Sequence, residues 1–263
     1  MNASSYRQRV SVAVMRILLI GSLLTAWELL AVYKIVDIFF ISQPSAIFSD
    51  LVKAFISREI QPHLWITLQE AMAGLLIGTV TGVALAFALG KLEVLAYVLD
   101  PIIIALYGIP KLALGPIFIL WFGLGIESKV FLATIMVFFL VFFNAFAGFR
   151  NVDPTLIDAV RLMGASNSQV MRKVVFPSSV PWILAGIKAG LGAALLGAIV
   201  GEYIGANAGL GWMIEYAGGM YDITRVFSCI IVLMVIMATL NSGLRVLEKH
   251  MLRWRPSSEQ TSL

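Results

Sequence analysis

Long apolar runs separated by short polar joints occupy most of the chain, and the runs lack the two-residue alternation of barrel strands. About 20 consecutive apolar residues suffice to cross a hydrocarbon core as a helix. Spans are predicted at 17–33, 68–90, 99–122, 130–149, 183–205 and 226–247. Every backbone polar group inside lipid has to be satisfied by the segment itself, which leaves helices or closed barrels, and the pattern rules out the barrel. The expected fold is therefore all-α, a polytopic membrane protein of about six helices. Pro101, Pro110 and Pro116 interrupt the third run, so that span is expected to be kinked. Outside the spans, Pro44 enters a stretch in which Ile47, Phe48, Leu51, Val52 and Phe55 recur at helical spacing. It reads either as an interfacial helix on the outer face or as a packed loop helix.

One polar island, 153–181, breaks the apolar pattern near the middle of the chain. Asp153 can cap a helix whose first residue is Pro154, where no N–H is needed. Leu156, Ile157 and Val160 give that helix one apolar face, with Asp158 and Arg161 elsewhere. Gly164 suits its end, and Ser166 with Gln169 resembles a capping box for a second short helix that Pro177 is expected to stop. Two short helices meeting at a glycine corner are predicted. The residues alone leave two readings open: a connector that packs on its own spans, or a surface that docks a partner.

Composition fixes the solvent. Hydrophobic residues make up 60% of the chain and charged ones 13%, against roughly 25% charged in a soluble domain. Such a chain cannot cover itself with polar groups in water. The single cysteine, Cys229, excludes a disulfide framework within one chain. Charge sets the expected orientation. Arg7, Arg9 and Arg16, then Lys91, then Arg150, Arg161, Arg172 and Lys173, then Arg245, Lys249, Arg253 and Arg255 fall on one side of a six-span topology. Lys34, Lys53, Arg58, Lys129 and Arg225 are left for the other. Both termini and the island are predicted to be cytoplasmic. A cleaved signal peptide is the rival reading of the N-terminus, although the apolar stretch is long and no clear cleavage site ends it. The expected layout is a cytoplasmic segment 1–16, a transmembrane domain 17–247 containing a cytoplasmic loop 150–181, and a cytoplasmic tail 248–263. The basic cluster near the C-terminus reads as orientation signal rather than a nucleic-acid surface.

Ionisable residues at membrane depth are functional candidates by default. Glu202 in the fifth run either bonds the 205–211 loop or faces a path. Lys111 either flanks broken backbone after Pro110 or lines that path. Asn144 lines it or bonds a neighbouring helix. Glu28 and Lys188 are expected to reach an interface. Glycines four apart at Gly74, Gly78 and Gly82, at Gly186 and Gly190, and at Gly197 and Gly201 allow close helix approach. They mark the fifth span as a tightly packed central helix near a pore. Phe138, Phe139, Phe142 and Phe143 read as lipid-facing or packed. No G-x-x-x-x-G-K-[ST] phosphate loop is present: Leu85 stands at the first glycine position before Gly90-Lys91. There is no H-E-x-x-H either, and His63 and His250 fall on opposite predicted sides.

The island also carries a longer pattern. Asp158-Ala159-Val160, then Gly164, then Val174-Val175-Phe176-Pro177 resembles, in spacing and residue type, the loop signature of ABC-transporter permeases. Asp stands where that signature has Glu, and Val160, Val174 and Phe176 are further departures. Gly108-Ile109-Pro110-Lys111-Leu112-Ala113-Leu114, Trp121-Phe122-Gly123-Leu124-Gly125, Gly148-Phe149-Arg150-Asn151-Val152-Asp153 and Gly209-Leu210-Gly211-Trp212-Met213 are similar to the nitrate, sulfonate and taurine importer permeases. The resemblance implies a type I importer permease whose cytoplasmic coupling helix docks a separate ATPase. Leu156, Ile157, Asp158, Ala159, Val160, Gly164 and Pro177 are then the coupling residues, and Lys111, Asn144 and Glu202 the path candidates. It implies a homodimer, two ABC ATPase subunits that carry the ATP and Mg, a periplasmic or lipid-anchored solute-binding protein, and no cofactor on this chain. Sulfonate, taurine or nitrate is the expected cargo, with pyrimidine-like vitamin precursors open. A secondary transporter or channel would call for mid-membrane acidic groups and an inverted repeat, and a membrane enzyme for converging catalytic groups; none of these is evident.

Overall fold

A computed structural model of the chain describes residues 3–253, apart from the side chains of residues 3–10, 13 and 93. The expectations for Arg7, Arg9, Arg255 and the 256–263 tail lie outside the described residues. In chain order the elements are α1 (Ala3–Val32), α2 (Ile38–Ile41), α3 (Pro44–Ile56), α4 (Ile60–Lys91), α5 (Glu93–Gly108), a 3-10 turn (Lys111–Leu114), α6 (Gly115–Phe122), α7 (Ile126–Arg150), α8 (Pro154–Leu162), α9 (Asn167–Val170), a π turn (Met171–Val175), α10 (Phe176–Ile204), α11 (Leu210–Gly219) and α12 (Ile223–Met251). No strand occurs among the described residues. Five helices are long and apolar enough to cross a membrane, or six if the bent pair formed by α5 and α6 is one span. That pair bends by 79° at its break, where Pro110 cannot donate to the helix ladder. The predicted kink is therefore a clean break.

The chain divides into two compact units. The first holds residues up to 61 together with 213–232. In α1, Ala31 is the only described side chain that is buried, and Ile17, Leu18, Leu19 and Leu23 are all more than half exposed. A helix apolar all round and open all round is stable only in lipid or against other protein. Glu28 accepts hydrogen bonds from Ser45 N (3.0 Å) and Ser45 Oγ (2.7 Å). Its carboxylate satisfies a free N–H in the first turn of α3, which has no side-chain cap of its own. Glu28 is thus a cap rather than a group reaching for water. In α3, Ile47 and Ala54 are buried while Phe48, Val52 and Phe55 stay exposed. Arg225, counted from the sequence only as an orientation charge, pairs with Asp50 (3.0 Å) and Glu59 (3.1 Å).

The second unit holds residues 62–212 and those from 233 onward. Its centre is α7. Gly74, Gly78 and Gly82 of α4 meet Ala133, Val137 and Phe138, while Gly186, Gly190 and Gly197 of α10 meet Val141, Val137 and Ala133. Both glycine rows face the same helix. The small-residue pattern marks packing onto α7, and α7 rather than α10 is the central helix of the unit. In lipid, where burial of apolar area adds little, such close backbone approach is a principal source of helix association. Ala71 and Leu75 of α4, Val137 and Val141 of α7, and Leu191 and Leu195 of α10 form the core between them. Phe139 and Phe142 are buried, so the aromatic run is packed.

Pro177 does not stop a helix. It lies in the first turn of α10, and α9, the π turn and α10 run on as one helical rod, Asn167–Ile204. Phe176 N donates to Met171 O, five residues back. The wider π turn shifts the bonding register just before a residue with no N–H, and so lets the rod pass through the proline.

Candidate functional site

The polar island folds from local chemistry. Asp153 caps α8: its Oδ1 accepts from Thr155 N (2.9 Å) and Thr155 Oγ1 (2.6 Å). Those hydrogen bonds, the side-chain one first, hold the exposed Asp153 carboxyl below the usual carboxylate range. At the other end Gly164 N bonds Arg161 O (2.9 Å) and Ala165 N bonds Val160 O (3.2 Å). These are the two bonds of a Schellman motif, and Gly164 takes the left-handed φ of +83° that the motif requires. The capping box forms as predicted: Ser166 N donates to Gln169 Oε1 (2.8 Å) and Gln169 N to Ser166 Oγ (3.4 Å). Both ends of α8 are therefore fixed by short-range bonds.

Helix α8 has one face packed on the chain and one face open. Ile157 is half-buried against the cluster of Val152, Val170 and Val175, and Val160 is half-buried too. This face packs on the chain's own rod. Leu156, Asp158 and Ala159 are exposed. Leu162 and Met163, which the motif did not single out, are 89% and 85% exposed. Apolar side chains held that far out on a doubly capped helix form an exposed apolar patch at its end. The signal was available in the sequence, since Leu162 and Met163 immediately precede the predicted corner glycine.

The path candidates make their bonds separately. Lys111 Nζ donates to Tyr107 O (2.6 Å), one of the carbonyls freed by the break before it, and lies 4.5 Å from the Tyr107 ring centroid. Asn144 Nδ2 donates to Leu140 O in its own helix (2.8 Å) rather than to a neighbour. Lys188 makes only a loose 4.0 Å pair with Glu248.

Glu202 belongs to a buried polar cluster. Its Oε1 accepts from Thr67 Oγ1 (2.6 Å) and its Oε2 from Gly211 N (2.6 Å). Thr67 Oγ1 in turn accepts from Leu210 N (2.8 Å), and His63 Nδ1 from Gly209 N (3.0 Å). Three side chains of α4 and α10 thus take successive N–H groups at the start of α11, which is capped by residues distant in sequence. His63 also stacks on Trp212 at 5.2 Å. Lys129 of α7, 1% exposed, donates to Leu124 O (2.6 Å) and Gly205 O (2.5 Å). It is not a surface charge, as its place in the sequence implied, but a buried ammonium at the end of α10, where the helix dipole favours a cation. Glu70, equally buried, neighbours both Glu202 and Lys129. The loop-bonding role expected of Glu202 is what its contacts provide. Among the described residues no group of His, Cys, Asp and Glu side chains is arranged to hold a metal ion.

An all-α chain of membrane-crossing helices, with a short doubly capped helix outside them, is the architecture of a transport permease. The chain belongs to the family of binding-protein-dependent transport system inner membrane components, whose pattern matches residues 74–253. It is 33% identical over 92% of its length, and 88% of the relative's, to a Bacillus subtilis (strain 168) protein described as an aliphatic sulfonates transport permease. It is 31% identical to the taurine transport system permease of Escherichia coli (strain K12), over 88% of this chain and 86% of that one. The fold is similar to a chain of an inward-facing methionine ABC transporter, with a TM-score of 0.60 at 18% identity, over 73% of this chain and 98% of that one. An amino acid ABC transporter chain gives the same TM-score at 21% identity, over 77% and 97%. The chain is a multi-pass ABC importer permease.

Proposed function

We propose that two copies of this chain form the transmembrane path of an ATP-driven importer and receive their drive through α8. The carrying observation is the division of α8 into a face packed on the α9–α10 rod and a face that holds Leu156, Asp158, Ala159, Leu162 and Met163 out. A partner that presses on the outer face moves the rod, because Ile157 packs α8 against Val170 and Val175 of the rod. The chain has no phosphate loop, so ATP and Mg belong to two separate ABC ATPase subunits docked on that face. The basic residues around α8 and at the end of α12 support a cytoplasmic position for the docking face and both termini. A solute-binding protein delivers cargo on the opposite side. Taurine and aliphatic sulfonates are the favoured cargo, from the likeness to permeases so described; a relative described as a riboflavin permease, at 30% identity, keeps flat heterocycles as the second class to test. Gly164 and Pro177 act by shaping the loop and the rod, not by touching the partner. Glu202 serves the frame of the 205–211 loop, and Lys111 and Asn144 stay as candidates for the path.

The test is reconstitution in proteoliposomes with the neighbouring ATPase and binding protein, following labelled taurine and an alkanesulfonate. Uptake should require internal ATP. Leu162→Asp with Met163→Asp should abolish uptake and ATPase association while the permease remains folded. Uptake that follows an ion gradient without ATP, or full activity in the double variant, contradicts the proposal.

A further inference from the structure

Beside α8 the second unit carries a groove of about 690 Å³ whose rim holds Lys91, Arg161 and Arg172 and whose floor includes Phe149, Ile157 and Val175. None of the three cations pairs with a carboxylate among the described residues. Lys91 also borders a second hollow of about 580 Å³, a trough lined by Leu92, Val94, Leu95 and Val98. Val94 and Val98 are 81% and 57% exposed. Lys91 is the last residue of the span α4, so groove and trough meet where a span leaves the membrane. Basic hollows at that level attract lipid headgroups.

The two hollows select one kind of occupant. Three unpaired cations around one space repel each other, and an anion between them removes that repulsion. A free phosphate would use the groove and leave the trough bare. An acidic protein segment would do the same, because nothing in it matches an open row of Leu and Val side chains. An anionic head joined to an alkyl chain fills both. We infer that this pair of hollows binds one anionic glycerophospholipid, its phosphate between Lys91, Arg161 and Arg172 and an acyl chain along Leu92, Leu95 and Val98. The lipid would tie α8 to the end of α4, next to the surface proposed to receive the ATPase. Its assignment to the inner leaflet rests on the orientation proposed above; the binding itself does not.

The experiment is native mass spectrometry of the full-length permease in non-ionic detergent, offered phosphatidylglycerol or phosphatidylcholine at equal concentration. Phosphatidylglycerol should be retained in preference. The triple variant K91Q/R161Q/R172Q should lose about a hundredfold in retention, and R161Q alone about fivefold, from the loss of three cations or one beside an anionic lipid. Leu95→Asn should weaken retention of phosphatidylglycerol, which a headgroup-only site would not show. Arg245→Gln with Lys249→Gln, which removes two cations at the end of α12, should leave retention unchanged. Thermal midpoints of every variant check folding, and the single variant carries the test if the triple does not fold. Equal retention of the two lipids, equal loss in the α12 control, or displacement by millimolar inorganic phosphate overturns the inference. Complete exclusion of lipid once the ATPase is bound, with cross-links from Lys91 to that subunit, would make the groove a protein-docking surface and overturn it equally. None of these outcomes bears on whether uptake needs ATP.

Discussion

Lys129 and Glu202 hold the two ends of one turn: Lys129 Nζ donates to Gly205 O at 2.5 Å, and Glu202 Oε2 accepts from Gly211 N at 2.6 Å. The ammonium meets the C-terminal carbonyl end of α10 and the carboxylate meets the N-terminal amide end of α11. Each charge sits where the helix dipole favours it. The glycine-rich turn 205–211 is thereby given a defined shape by side chains from α4, α7 and α10.

Removing one member of this cluster leaves its buried hydrogen-bond partners unsatisfied. Lys129→Met is expected to cost about 2–4 kcal/mol of stability, since the buried carbonyls of Leu124 and Gly205 both lose a charged donor. Glu202→Gln should cost less, about 1–3 kcal/mol, because the amide offers one acceptor oxygen where two donors, Thr67 and Gly211, now bond two. Thermal or denaturant unfolding of the detergent-solubilised permease ranks the two. If the Lys129 variant were as stable as the parent, the cluster would not be structural.

The corner glycine is tested by its φ. Gly164→Ala meets no neighbouring atom but places a Cβ on left-handed backbone, at a cost of roughly 1–2 kcal/mol. Gly164→Asn should be milder, because Asn tolerates that region. The expected readout is ATPase association, reduced by Ala more than by Asn, with a fall of a few degrees at most in the unfolding midpoint. Equal binding by all three forms would show that the Schellman corner does not set the docking geometry.

The faces of α8 predict a crossed pattern. Ile157→Ala removes packing from the Val152, Val170 and Val175 cluster and should lower permease stability by about 1–3 kcal/mol, a half-buried version of a core truncation. Leu162→Ala should leave stability within about 0.5 kcal/mol, as exposed substitutions do, yet weaken ATPase binding. Unfolding and pull-down measurements on the same two variants give four numbers. Destabilisation by Leu162→Ala would overturn the division of faces.

Local chemistry made α8 legible in the sequence. Asp153-Pro154, Gly164, and Ser166 with Gln169 all act within a few residues of themselves, and each took the predicted role. Pro177 was misread because its effect depends on the register of the preceding turn, a π turn that no residue pattern announces. The cluster of Glu70, Lys129 and Glu202 was legible only in part. Glu202 stood out as a charge in an apolar run. Lys129, beside Glu127 at the mouth of a span, looks like an ordinary interfacial cation, and Glu70 sits one turn inside another. What unites them is helix packing between segments 60 to 130 residues apart, roughly the separations a propensity or motif argument cannot reach. The glycine rows showed that close contacts exist but not with which helix.

Asp153 gives a pH dependence whose sign is fixed. Its folded carboxyl lies below the usual value of 3.8 because Thr155 donates two hydrogen bonds to the ionised form. A depressed value means that the cap contributes fully above the unfolded value and fades as pH falls through the lower, folded one. Docking of α8 should therefore be indifferent to this group from neutral pH down to about 5, and amide protection at Thr155 should fall only at more acid pH. Asp153→Asn keeps a side-chain oxygen that can cap without titrating. The variant should hold its Thr155 protection across the acid range where the parent loses it. Hydrogen exchange followed by mass spectrometry on both proteins decides the matter, and parallel acid profiles would assign the cap to Thr155 and the backbone rather than to the carboxylate.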